Sequence, residues 1–225
     1  MFEIDWSAPW LAPYCEQGRA LHERVLAGER VHAALGERFV SAEALPPGEA
    51  YEAFVARTGL IPTRDNAHDF FNGLVWLRHP ALKTRLNGWH ALTLETDGVQ
   101  GQRGALRDAA TVFDENGAVL DAPPELCQAL RERDWLRLFI ELRPLWREAR
   151  LTLVGHALLE KLCAPRKPIC AHVVFSEPTE ADGLAAKPFH PLPVLGVPGW
   201  WPANEVVDFY ADRGVFRPRG LAQTG

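Results

Sequence analysis

"NAHDFFNGLVWLRHPALKTRLN", Asn66 to Asn87, decides how this chain folds. Phe70, Phe71, Leu74, Val75 and Leu77 make a wide apolar surface at helical spacing, and Pro80 forces a stop or kink before Leu82, Leu86 and Trp89 resume it. Two consecutive helices of that weight predict the centre of the core. Asn66, His68, Asp69 and Asn72 are threaded through the first of them, and polar groups inside a core need partners, water or a ligand.

Upstream, the first sixty residues read as an acidic helical arm, with Leu21, Val25, Val31 and Leu35 near helical spacing, a break at "ALPPGEA" and a short helix over Glu49 to Arg57. Downstream, Leu106, Ala109, Ala110 and Phe113 predict a helix closed by Asn116-Gly117, in preference to a hairpin over "TVFDENGAVL". "PPELCQALRERDWLRLFIELRPLW" and "REARLTLVGHALLEKLC" predict more helices, the second on Leu151, Val154, Leu158, Leu159 and Leu162, while "ICAHVVFSE" predicts a strand. The remainder, rich in proline and aromatics, predicts an extended segment that wraps the body through Trp200, Trp201, Phe209, Tyr210 and Phe216. The expected fold class is mainly α, α+β at most. It is a single helical domain with one or two short strands: an arm over 1–60, a core over 61–177 and a wrapping tail over 178–225.

With 225 residues, 47% of them hydrophobic, the chain has enough apolar surface for one large domain. A net charge of −5 gives no general attraction to phosphate backbones or anionic lipid, so neither nucleic acid nor membrane is an expected partner. No apolar run approaches the roughly 18 residues of a membrane span, and the acidic start "MFEIDWSAPW" lacks a basic leader, which predicts a cytoplasmic protein. Cys15, Cys127, Cys163 and Cys170 show no C-x-x-C pairing and read as free thiols. Ser7, Ser41 and Ser176 lie in no nucleophile elbow.

The candidate chemistry is in two helical pairs. His68 and Asn72 are four apart on one face, with Asp69 turned by about 100°, and "GHALLEKL" places His156 and Glu160 four apart. A histidine and a carboxylate at that spacing can present a nitrogen and an oxygen to one metal ion. His156, Glu160 and His68 are the candidate ligands of a divalent zinc, manganese or iron ion, and His68, Asp69 and Asp108 the candidate catalytic groups. Asn72, Arg103 and Arg107 are the candidate contacts to a small anionic ligand. In "QRGALRDAATVFDENG", Asp108 and Glu115 are seven apart on one helical face, while Asp114 and Asn116 read as helix-end or turn residues. Three functions fit this pattern. They are a metal-dependent hydrolase acting on an anionic ester or phosphoester, a metal-free module that binds an anionic metabolite, and a structural protein with a buried ionic network.

Four stretches together, "PTRDNAHDFFNGLVWLRHPALKTRLN", "RGALRDAATVFDENG", "GHALLEKL" and "LPVLGVPGWWPANEVVDFYADRGVFRPR", resemble a bacterial family known as a domain of unknown function, number 3025. The resemblance covers most of the chain after about residue 60. It implies a bacterial, cytoplasmic origin and a shared architecture, and it groups His68, Asp69, Asn72, Arg107, Asp108, His156 and Glu160 within the signature stretches.

Overall fold

A computed structural model describes residues 2–96 and 104–219. Helices α1 (Cys15–Leu26) and α2 (Val31–Leu35) lead to strand β1 (Phe39–Ser41), helix α3 (Tyr51–Thr58) and strand β2 (Ile61–Thr63), which pairs with β1 in parallel. Helices α4 (Ala67–Arg78), α5 (Pro80–Thr96) and α6 (Ala105–Asn116) follow, then β3 (Gly117–Asp121), α7 (Pro124–Glu132), β4 (Arg150–Leu153), α8 (His156–Lys161), β5 (Cys170–Val174), α9 (Ala181–Ala185) and β6 (His190–Pro193).

The opening stretch folds into α4 and α5 for local reasons. Asn66 caps α4, its side chain accepting from the Asp69 N–H at 2.8 Å. His79 leaves the helical region (φ −127°, ψ 56°) because Pro80 crowds the residue before it, and Pro80 then opens α5, where its missing N–H costs nothing. Phe70, Phe71 and Val75 are wholly buried.

The expectation of one or two strands is corrected to six among the described residues. Four form one sheet in the order β4-β3-β5-β6, with β3 antiparallel to β4, parallel to β5, and β5 antiparallel to β6. Residues 150–153, expected in a helix, are β4, where Leu153 opposes Ala118 and Leu151 opposes Leu120. Their alternation is too short to compete with the helical spacing of the leucines beyond, and only pairing with β3 selects the strand. Pro191 and Pro193 lie in β6, an edge strand, where a missing donor is tolerated. The helix over residues 105–116 is present, and β3 starts directly after it.

The N-terminal stretch is knitted into the body. Trp6, Trp10, Leu11 and Tyr14 join the main apolar cluster with Phe70, Leu153, Val173, Leu195 and Phe216, and the buried Tyr14 hydroxyl donates to the Leu153 carbonyl at 2.7 Å. Phe209, Tyr210 and Phe216 of the C-terminal stretch are buried in that cluster, and Trp200 and Trp201 pack on it half-exposed. A smaller cluster holds Leu82, Leu86, Ala109, Phe113 and Val174. Among the described residues no helix is long and apolar enough to cross a membrane.

Candidate metal centre

Where the two clusters meet, a cavity of about 420 Å³ opens between α3, α4, α5, α6 and α8. Trp76 of the main cluster and Leu86 of the smaller one both line it. Positions 68, 72 and 76 of α4 face it, one turn apart each, and positions 83, 87 and 90 do the same on α5.

His156 reaches this cavity because α8 begins hard against the end of α6. The Gly155 N–H donates to the Gly117 carbonyl at 2.9 Å, and a Cβ at Gly155 would lie 2.6 Å from the Asn116 backbone and the Glu115 carbonyl. Only a glycine permits that approach, and it sets His156 beside Asp114 and Glu115.

The two histidines meet head to head. His68 Nε2 and His156 Nε2 are 3.0 Å apart, and a Glu115 oxygen lies 3.7 Å from His156 Nε2. Behind them, His68 Nδ1 is 2.8 Å from Glu160, and His156 Nδ1 is 3.6 Å from Asp114 Oδ2. Asp114 in turn accepts from the Lys83 ammonium at 2.5 Å, and Lys83 is buried, 5.5 Å above the Trp76 ring.

The electrostatics follow from burial. His156 is 4% exposed; burial pushes its pKa down to about 4, outweighing the pull of Asp114, so the ring is neutral at neutral pH. Burial alone would raise the Asp114 carboxyl, but Lys83, then His156, hold it below its ordinary value. Burial raises the Glu115 carboxyl against the opposing effect of His68.

Protons alone serve this arrangement badly. If His68 donates from Nδ1 to Glu160, its Nε2 is a lone pair. A neutral His156 then either opposes it with a second lone pair or turns its bare Nδ1 toward Asp114, and that nitrogen is buried with no hydrogen-bond partner. A doubly protonated His68 satisfies both rings but leaves Glu115 facing a lone pair. A divalent cation answers all three: His68, Glu115 and His156 offer ligand atoms within 4.8 Å of one another. A tetrahedral ion with bonds of about 2.0–2.1 Å spaces its ligands by about 3.3 Å, between the two separations seen here. Glu160 and Asp114 would then hold the ligand tautomers from behind.

The structure brings His68 and His156 together and places Asn72 and Asp69 in the cavity wall. The other candidates stand differently. Glu160 backs His68 instead of joining the group of convergent ligand atoms, where Glu115 stands. Asp108 pairs with Lys187 away from the cavity; seven residues put it on the face of Glu115 but about 10 Å along the axis. Asp69 accepts from the Arg64 backbone N–H at 2.6 Å and from its guanidinium at 2.8 Å, so it is held at the cavity wall. Arg107 is absent from the lining, and Arg103 lies outside the described residues. Sequence reasoning missed Lys83, one of four lysines and set between Leu82 and Leu86, and read Asp114 as a helix-end or turn residue with no part in the site. It also missed Tyr51, Glu52 and His90, which line the same cavity.

A fold of α4, α5, α6 and α8 around such a cavity defines a mainly helical protein with a partly buried histidine and carboxylate centre. The chain belongs to the family described as protein of unknown function (DUF3025), which it matches over residues 37–181 and 177–220. No curated protein and no solved structure matches the chain.

Proposed function

We propose that the cavity is a hydrolytic site in which His68, His156 and Glu115 hold a divalent transition metal that activates water. The observation that carries this reading is the convergence of three lone-pair donors, with carboxylates behind both imidazoles. Two imidazoles and one carboxylate suit zinc or iron(II) better than manganese, and three protein ligands leave a position for water. When bound, the ion lowers the pKa of that water and polarises the group under attack.

The substrate reading narrows with the charges. The cations in the lining are Lys83 and Arg64, and each is tied to a carboxylate, Asp114 and Asp69 respectively. Among the described residues the lining itself holds no uncommitted cation to receive a phosphoester, so a carbonyl ester or amide of small size is favoured over the polyanion. The ring of lining groups that includes Trp76, Leu86, Leu45 and Pro62 suits an organic body rather than a bare anion.

The test is hydrolysis of a chromogenic acetyl ester by protein loaded with zinc or iron(II), compared with chelated protein and with Glu115→Gln. Loaded wild type should exceed both by about a hundredfold or more. Equal turnover in the chelated protein would refute the assignment.

A further inference from the structure

The two ends of the cavity differ in charge. Arg64 with Asp69 and Lys83 with Asp114 cancel in pairs, and a divalent ion would be balanced at the metal end by Glu115 and by the Glu160 that backs His68. At the other end stands Glu52 on α3, half-buried in the lining, and no lysine or arginine pairs with its carboxylate among the described residues. Beside it is His90 of α5, 6% exposed, whose Nδ1 is buried with no hydrogen-bond partner. Glu52 and His90 interact electrostatically, and Asp114, Arg107 and Lys83 also act on the His90 ring.

From these observations we infer that the Glu52 end holds a protonated amine of the substrate, with Glu52 as counter-ion and His90 Nδ1 as acceptor. This rests on the hydrolytic reading of the same cavity and names its substrate class: a small ester or amide that carries an ammonium group. Burial keeps the His90 ring uncharged at neutral pH by lowering its pKa, so it competes with no cation for Glu52. The span is also right for one small molecule. His90 is seven residues beyond Lys83 on α5, about 10 Å along the axis, and Lys83 is bound to Asp114, the neighbour of His156. Tyr51, whose hydroxyl accepts from Asn72 at 3.2 Å, and Trp76 add aromatic rings to the lining, and such faces accept the carbon stem of an alkylammonium.

Glu52 is open to clean substitution. Its backbone carbonyl, not its carboxylate, accepts from Asn87 at 3.0 Å and ties α3 to α5, so Glu52→Gln keeps the fold-forming contact. The experiment titrates n-butylammonium chloride and 1-butanol into the protein by calorimetry at fixed ionic strength, in the chelated and the metal-loaded forms. Wild type should bind the amine at least about tenfold more tightly than the alcohol in both forms. Glu52→Gln should erase that preference, and Glu52→Asp should keep part of it. The inference is overturned if the amine fails to bind, binds no better than the alcohol, or keeps its advantage in Glu52→Gln. Because the chelated form is included, loss of metal binding with an intact amine preference would defeat the hydrolytic reading alone, and the reverse result would defeat this inference alone.

Discussion

Replacing Lys83 by methionine should unfold the protein more readily than any other single change at the cavity that leaves its shape intact. The Lys83 side chain is 5% exposed and its ammonium sits 2.5 Å from Asp114, whose side chain is 22% exposed. Methionine fills the volume of the stem but leaves a carboxylate with no cation, and breaking a buried pair on one side costs about 3–5 kcal/mol. Partial access of Asp114 to water moves the expectation toward about 3 kcal/mol, which in a chain of this size is a fall of roughly 6–12 °C in Tm. Part of the loss is pH-dependent. Lys83 helps hold the Asp114 carboxyl below its ordinary value in the folded state, so the pair stabilises above the ordinary carboxylate range and is lost as pH falls through the folded value. The acid limb of stability against pH should therefore flatten in Lys83→Met. Guanidinium denaturation of chelated protein, read at several pH values, measures both effects. Lys83→Met with Asp114→Asn should recover at least half of the loss, because both charges are then gone. A single-variant cost below about 1 kcal/mol, or a double variant whose loss equals the sum of the singles, would refute the reasoning.

Three further outcomes are expected. Chelated wild-type protein should lose stability between pH 6.5 and about 4, because burial lowers the His156 pKa to about 4 and the unfolded chain takes up a proton that the folded ring, facing Asp114, Glu115, Lys83 and His68, does not. The sign is fixed by the unfolded state binding more protons, the size is about 3 kcal/mol, and denaturation midpoints in that window that do not fall with pH would contradict it. Gly155→Ala should cost about 1–3 kcal/mol and weaken metal retention, since its methyl meets the backbone at the end of α6; wild-type melting and metal affinity in this variant would show that the close approach is dispensable. Glu160→Gln should reduce metal affinity by about 10- to 100-fold without abolishing it, because Glu160 orients His68 from 2.8 Å; competition with a chromogenic chelator measures this, and total loss would make Glu160 a ligand.

The parts legible in the sequence were those with long periodic runs. The 12 residues of α4 and 17 of α5 carry enough apolar positions, with Asn66 and Pro80 as punctuation, to announce themselves. Strands of 3 to 5 residues do not, and β4 was hidden by the leucines of α8. Their identity comes from pairing partners far along the chain, such as Leu153 with Ala118. The site divides the same way. His68 and His156 stood out as polar residues in apolar runs, and each is held by neighbours in space. Lys83 with Asp114 is a contact across 31 positions, invisible to spacing. Glu115 shared a face with Asp108, but a shared face says nothing about height along a helix. Which of Glu115 and Glu160 points at the nitrogens depended on how closely α8 could approach α6 at Gly155.

The central claim is tested most directly by the metal content of the purified, untagged protein, measured by mass spectrometry beside His156→Ala and Glu115→Ala. The account predicts about one zinc or iron ion per chain in the wild type and near-complete loss in both variants, with the folded state retained by circular dichroism. Wild type that stays metal-free after supplementation, or variants that keep the full complement, would contradict it.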